Sequence, residues 1–220
     1  MNADPVVLGV GIVDERGIAG SAGVAVAWDE LGVAAPGTAR TLREVFGVAD
    51  PTYRRIDRMS RALVLAGEAA GLRTLLDARQ REEAGLVVET DLGCLESDLR
   101  YARSLADPLV DAAVFPYTLP STSLGELALR FGLRGPSVCL SVAAERGGES
   151  LAEARRMLVA GEVGHAVVVS ADVFDGERLH PAAMRVVLAV VAATADGAAS
   201  VAPWPGHGPD AFAVLMRAYR

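Results

Sequence analysis

Few side chains in this 220-residue chain are able to do covalent chemistry. Cys94 and Cys139 are the candidate nucleophiles, and His165, His180 and His207 the candidate general bases. All 21 basic residues are arginine, which excludes a lysine Schiff base or a lysine general base. The cysteines lack CxxC spacing and the histidines follow no ligand pattern, so reduced, buried thiols and no metal site are expected. An activated thiol needs a helix N-terminus or a neighbouring cation. Cys139 falls inside an apolar run that reads as mid-strand, and Cys94 lies in a turn beside Asp91 and Glu96, whose charge raises a thiol pKa. Neither is placed to attack, and the three histidines read as surface or loop residues.

The elements that must carry these residues follow from apolar periodicity. Val6–Val13 is β-branched, punctuated by Gly9 and Gly11, and reads as a buried strand. The Gly/Ala-rich stretch to Gly37 is ambiguous. From about Pro51 to Arg79, Ile56, Met59, Leu63, Leu65 and Ala66 recur at helical spacing. Gly85–Glu89 reads as a strand and Leu92–Leu105 as a helix that ends before Pro108. Leu119–Phe131 reads as a helix stopped by Gly132, Pro136–Val142 as a strand, Glu145–Ala160 as a helix and His165–Ser170 as a strand. Met184–Ala193 fits helix or strand, and Ala211–Ala218 is expected to be the last strand. Alternation of strand and helix implies right-handed crossovers and an α/β fold, with a mostly parallel, five-stranded mixed sheet covered by helices on both faces.

Composition narrows the partners. A net charge of −7 with no basic stripe argues against nucleic acid. With 51% hydrophobic residues the chain can bury a core, yet no apolar stretch reaches the roughly 20 residues of a membrane span. No secretory signal pattern opens the sequence, so no membrane contact and a cytoplasmic location are expected.

The segment Phe115-Pro-Tyr-Thr-Leu-Pro-Ser-Thr-Ser-Leu-Gly-Glu-Leu-Ala-Leu-Arg-Phe-Gly-Leu-Arg-Gly-Pro136 closely resembles the stretch that precedes the nucleophile in β-ketoacyl synthases. Arg-Phe-Gly-Leu-Arg-Gly-Pro is its most specific part. Three more segments keep the family's order: Arg55-Ile-Asp-Arg-Met-Ser, Leu86 to Glu96, and Gly161-Glu-Val-Gly-His-Ala-Val-Val-Val. The resemblance runs from about Val6 to Val173, with Ala211 to Met216 weakly similar to the strand that closes the family's N-terminal half. It implies a thiolase-like half-fold, with residues 1–220 forming a single ketosynthase-like N-terminal domain and the family's C-terminal half absent.

In an active ketosynthase a cysteine follows that Gly-Pro by eight residues, at a helix N-terminus that lowers its pKa and stabilises the oxyanion. Counting from Pro136 lands on Ala144, and counting back 17 residues from Gly161 gives the same position. The catalytic set is therefore expected to be none, with Ala144 at the nucleophile's place and Glu145 and Arg146 replacing the family's small hydroxyl residues. The family's two catalytic histidines belong to its C-terminal half and are implied to have no counterpart here.

The resemblance narrows to chain-length factors of the polyene systems, the highly reducing type II polyketide and aryl polyene clusters. These are ketosynthase-like subunits without the cysteine that pair with an active ketosynthase and complete its acyl tunnel. It implies no cofactor, a heterodimer with an active ketosynthase subunit, and an acyl carrier protein docked mainly on that partner. The strand residues Ser137, Val138, Cys139, Leu140, Ser141 and Val142 are implied to form the dimer interface, and Val114, Phe115 and Tyr117 to line the substrate tunnel. Gly147-Gly148 resembles a Gly-Gly pair of the aromatic chain-length factors, one place out of register. Residues from about Asp175 to Gly208 are expected to depart from the family, partly to cover or re-polarise apolar surface where the second half would pack. Two other readings stay open: a homodimeric scaffold that holds an acyl chain or acyl carrier protein, and an enzyme of altered chemistry using Cys94 or Cys139.

Overall fold

Strand β1 (Val6–Asp14) and helix α2 (Arg58–Ala70) lie closer than side chains normally allow, because β1 presents glycines to the helix. A Cβ at Gly11 would come 1.9 Å from the Ala66 carbonyl oxygen, and one at Gly9 2.6 Å from that of Ala70. This contact organises the computed structural model, which describes residues 4–32, 39–106, 108–176, 182–193 and 200–219. Parts of the two stretches that resist reading by pattern, residues 33–38 before α1 and 177–181 and 194–199 of the tail, lie outside the described residues.

The chain runs through β1, β2 (Gly17–Gly20), β3 (Val24–Ala27) and α1 (Ala39–Phe46) to a 3-10 turn, Tyr53–Arg55, that leads into α2. Asp57 caps α2 by accepting the Ser60 N–H at 3.0 Å, and Gly71, at φ 77°, ends it. The single helix expected to Arg79 is therefore divided. A short α3 (Leu72–Leu75) and α4 (Ala78–Glu83) follow, the latter opened by an Asp77–Gln80 capping box. Then come β4 (Gly85–Thr90), α5 (Leu95–Ser104), a 3-10 turn at Phe115–Thr118, α6 (Pro120–Phe131) and β5 (Ser137–Ser141). The last elements are a 3-10 turn at Ala144–Arg146, α7 (Glu149–Val159), β6 (His165–Phe174), β7 (Ala183–Ala192) and α8 (Ala211–Ala218).

The α/β class holds, and the sheet inside it differs from expectation. It has seven strands in the order β3-β2-β1-β7-β6-β4-β5. Only β4 runs parallel to its neighbours, β5 and β6; the other pairings are antiparallel. Connection length explains part of this, since the tight turns joining β1, β2 and β3 cannot hold a crossover helix. The ambiguous stretches contain β2, β3 and β7. Ala211–Ala218 is a helix, not the expected strand: so short a run leaves its period undecided, and its Ala, Leu and Met favour helix. The helix expected from Glu145 starts instead at Glu149, because Gly148, at φ 91°, separates it from the 3-10 turn.

Both faces of the sheet are covered. One core joins α2 and α6 to the strands through Leu63, Ala66, Phe131, Val88, Val169 and Leu188. The other joins α7 and α8 through Leu151, Met157, Phe212 and Leu215 to Val87 and Val168. Alternate residues of β4 therefore face different cores, and its polar end residues, Glu89 and Thr90, are divided the same way.

Candidate functional site

The site residues expected from sequence fall in three places: the turn at Ala144, β5, and the segment around Pro116. Ala144 opens the 3-10 turn that follows β5, and it lies upstream of α7 instead of at its N-terminus. The N-cap of α7 is Gly148, which has no side chain to satisfy the helix's first amides. Glu89 does so from β4. Its carboxylate accepts the Gly148 N–H at 2.9 Å and the Ser150 N–H at 2.8 Å, and the residue is only 3% exposed.

A second buried carboxylate lies close by. Asp172 of β6 accepts the Asp91 and Leu92 N–H groups at 2.9 and 3.0 Å and the Thr90 hydroxyl at 3.1 Å. Arg185 of β7 pairs with it at 3.4 Å. Glu89, Asp172 and Arg185 share a cavity of about 20 Å³ with Pro209 and Phe212 of the C-terminal segment. That is room for about one water molecule. Sequence reasoning missed both carboxylates, although each is a charge inside an otherwise apolar strand, which is the signal that marks a buried polar partner.

Strand β5 ends the sheet: β4 flanks it on one side, and no described strand flanks it on the other. Ser137 and Ser141 are exposed, Val138, Cys139 and Leu140 half-buried, and Val142, just beyond the strand, still donates to the Thr90 carbonyl at 2.9 Å. Leu86 N–H donates to the Pro136 carbonyl, so the even-numbered residues 136–142 turn their backbone groups toward β4. Ser137, Cys139 and Ser141 turn theirs outward.

Of the residues expected to line a tunnel, Val114 is buried at 6% exposure and Phe115 is 58% exposed. Tyr117 packs partly against the α2–α6 core and donates its hydroxyl to Glu126 at 3.2 Å. Burial, reinforced by Glu126, pushes its phenol up to about 12. Val114 and Tyr117 line one cavity of about 510 Å³, whereas Phe115 stands outside it with its ring 5.3 Å from that of Tyr101. The cavity is polar, walled by Arg54, Arg55, Arg58, Arg61 and Arg100. Arg58 is paired with Glu96 and Asp175, and Arg100 with Asp111 at 2.6 Å.

The native thiols sit in environments that disfavour a thiolate. Burial, with a hydrogen bond from the Cys94 thiol to Asp98 at 3.3 Å, pushes Cys94 up to about 12. Asp57 adds to this, so the acids acting on Cys94 are Asp98 and Asp57, not the sequence neighbours Asp91 and Glu96. Burial also raises Cys139. His165 begins β6 half-buried, with its pKa lowered by burial, and is not the surface residue expected; His207 is an exposed loop residue, and His180 lies outside the described residues. Among the described residues no group of three or more His, Cys, Asp and Glu side chains could hold a metal ion, and no helix is long and apolar enough to cross a membrane.

Residues 22–200 match the β-ketoacyl synthase, N-terminal domain, past Val173 where the motif resemblance stops. A search of curated proteins finds no match. Among solved structures, the chain is similar to the ishigamide ketosynthase/chain length factor, with a TM-score of 0.64 and 20% identity over 91% of this chain and 65% of that one. It is similar to the ketosynthase ApeO in complex with its chain length factor ApeC from Xenorhabdus doucetiae, with a TM-score of 0.59 and 16% identity over 88% and 80%. It is also similar to AntDE:AntF, a type II PKS acyl-carrier protein in complex with its ketosynthase, with a TM-score of 0.63 and 15% identity over 88% and 64%. The chain thus spans about two thirds of the length of the first of these.

Proposed function

The chain belongs to the β-ketoacyl synthase family through its N-terminal domain, and on that premise we propose that it is a non-catalytic chain-length factor. It pairs with an active ketosynthase subunit and shapes that subunit's acyl tunnel in polyene polyketide or fatty-acid-like biosynthesis in the cytoplasm. The partner supplies the nucleophilic cysteine and both histidines, and the acyl carrier protein docks mainly on that partner. This chain contributes Ala144, a residue type with no group able to hold an acyl chain, and two native thiols kept protonated by their surroundings.

The observation that carries the reading is the outer edge of β5, which no described strand pairs. An open edge offers N–H and C=O groups to another chain, and here it follows the family's most specific motif. Ser137 to Val142 supply that edge, with the outward groups of Ser137, Cys139 and Ser141 available for an antiparallel pairing. Two similar structures hold a ketosynthase with a chain length factor, which supports a ketosynthase partner. Val114, Phe115 and Tyr117 are the side chains assigned to the tunnel, with exposed Phe115 the one that reaches the partner.

Co-expression with a full-length ketosynthase that carries the cysteine and both histidines tests the pairing. The two chains are expected to copurify, and Cys139→Pro, which removes an outward N–H without touching the bonds to β4, is expected to abolish copurification while leaving the circular dichroism of the isolated chain unchanged. A chain that stays monomeric and neither copurifies with the ketosynthase nor alters its products overturns the reading. The same edge fits a second copy of this chain, the homodimeric scaffold, and light scattering that finds a stable homodimer favours that instead.

A further inference from the structure

Charge runs against the composition of the chain around the larger cavity. The net charge is −7, yet five arginines, Arg54, Arg55, Arg58, Arg61 and Arg100, wall this one space of about 510 Å³. Three carboxylates, Asp57, Glu96 and Asp175, stand among them, and each is engaged within the chain. Asp57 caps α2 by accepting the Ser60 N–H at 3.0 Å, and Glu96 and Asp175 both pair with Arg58. Asp111 takes Arg100 at 2.6 Å, and Arg61 donates to the Asp57 carbonyl at 3.4 Å. Arg54 and Arg55 differ from these three. Both are exposed, and among the described residues neither guanidinium has an ion-pair or hydrogen-bond partner.

The backbone that carries these two side chains is pinned on both sides. They belong to the 3-10 turn Tyr53–Arg55, which is held from Asp50. The Asp50 carboxylate accepts the Thr52 hydroxyl at 2.7 Å and the Thr52 and Tyr53 N–H groups at 2.8 and 3.2 Å. Tyr53, just before the pair, is fully buried and donates its hydroxyl to the Arg61 carbonyl at 3.2 Å, and Ile56, just after it, is buried as well. A turn anchored in this way presents its guanidinium groups from a fixed place, which lowers the ordering cost of binding.

We infer that this cavity is a binding site for a small phosphate monoester, its phosphate held by Arg54 and Arg55 and its carbon part against Ala113 and Tyr117. The inference goes beyond the pairing with a ketosynthase and does not rest on it. Guanidinium groups are planar, permanently charged donors that match phosphate oxygens two at a time, so an open pair of them favours a dianion over a single carboxylate. The volume falls in the range of about 300–1,000 Å³ usual for small-molecule sites. A nucleic-acid backbone suits the place less well, because a chain of net charge −7 with no basic stripe repels an extended row of phosphates.

The test titrates phenyl phosphate into the isolated chain by calorimetry at low chloride, with benzoate, which has the same ring and a carboxylate, as the comparison. Phenyl phosphate is expected to bind at least about tenfold more tightly than benzoate, and Arg54→Ala/Arg55→Ala to weaken it at least about tenfold. Its binding is also expected to weaken as chloride rises, since exposed arginines are screened. Arg134→Ala removes an exposed arginine outside the cavity wall and is expected to leave binding unchanged. Absence of phenyl phosphate binding, benzoate bound as tightly, or an equal loss in Arg134→Ala overturns the inference. A single-stranded DNA oligonucleotide that binds more tightly than phenyl phosphate and loses affinity in the double variant overturns it too, because the arginines would then belong to an extended phosphate track. Circular dichroism checks that the double variant is folded. If it is not, Arg54→Lys/Arg55→Lys, which keeps the charge and loses the planar fork, decides instead, with weaker binding upholding the inference and unchanged binding overturning it. Copurification of the variant with the ketosynthase is scored separately, so failure of the anion site and failure of the pairing are told apart.

Discussion

The pocket around Glu89, which Val142 also lines, and the outer edge of β5 adjoin in sequence and are opposite in character. In the pocket the buried charges have been given internal partners: Glu89 holds α7, Asp172 holds the turn after β4, and Phe212 and Gly208 fill the outside. Along β5 and around Pro116 the reverse holds, with a strand edge that no described strand covers and exposed Leu105, Leu109, Phe115 and Leu119. On the proposed reading, the contrast is between a region whose polar groups are satisfied within the chain and an edge kept for a partner.

Two phenylalanines set the widest contrast. Phe212 is 4% exposed on α8, within the core that α7 shares, and Phe115 is 58% exposed. Phe212→Ala leaves a cavity on the closed side and is expected to destabilise the isolated chain by about 3–5 kcal/mol in urea unfolding. Phe115→Ala gives up little more than the ring contact with Tyr101 and is expected to cost less than about 1 kcal/mol. Its effect is expected in the complex, as weaker copurification or longer products. Equal losses in the isolated chain would break the comparison.

Glycines give the next contrast. Gly148 has φ 91° and no room for a Cβ, whereas Gly125 in α6 has nothing within 4 Å of the place a Cβ would take. Gly148→Ala is expected to cost about 2–3 kcal/mol, from left-handed backbone strain and a clash with Gly208. Gly125→Ala is expected to stabilise by up to about 1 kcal/mol, through helix propensity alone. Thermal unfolding of the two variants, made separately, checks both signs.

Much of this contrast is legible in the sequence, and the unread part has physical causes. β1, β4, β5 and β6 stand out as apolar runs between glycines and polar turns, and α6 by its amphipathic spacing and the glycine that stops it. The assignment of Ala144 to the nucleophile's place comes from the family resemblance and its spacing, not from any local pattern. Strand direction is not legible, because local pattern carries no information about which strand lies beside which, and β2, β3 and β7 fall in Gly/Ala- or Val-rich runs that suit helix and strand alike. α8 reads wrongly as a strand because its apolar side covers Ala211, Phe212 and Leu215 in a run too short for period to show. The partners of Glu89 are illegible for another reason. A charge at the end of an apolar strand signals that a buried partner exists, but Glu89 and the amides it holds meet only in three dimensions. Val114 and Tyr117 line one cavity, and its arginine-rich wall is not legible in the sequence, since those arginines come from α2, α5 and the 3-10 turn before α2.

The smallest expected effect lies at the far end of β6, where His165 is removed from both regions and so serves as their control. Burial lowers its pKa below the ordinary value, with Asp77 opposing the shift. A base that holds its proton more weakly in the folded chain is protonated first in the unfolded chain as pH falls. Its contribution is therefore complete above the unfolded value of about 6.5 and is lost as pH drops through that value toward the folded one. The side chain is partly exposed, and solvent screening limits the loss to about 0.5 kcal/mol or less. Urea unfolding at pH 7.5 and 5.5 is expected to show this small decline in the native chain relative to His165→Gln, with copurification with the ketosynthase the same in both backgrounds. If His165→Gln moved copurification, the far end of β6 and the open edge would be coupled through the sheet, and the division between a closed region and a contact region would fail.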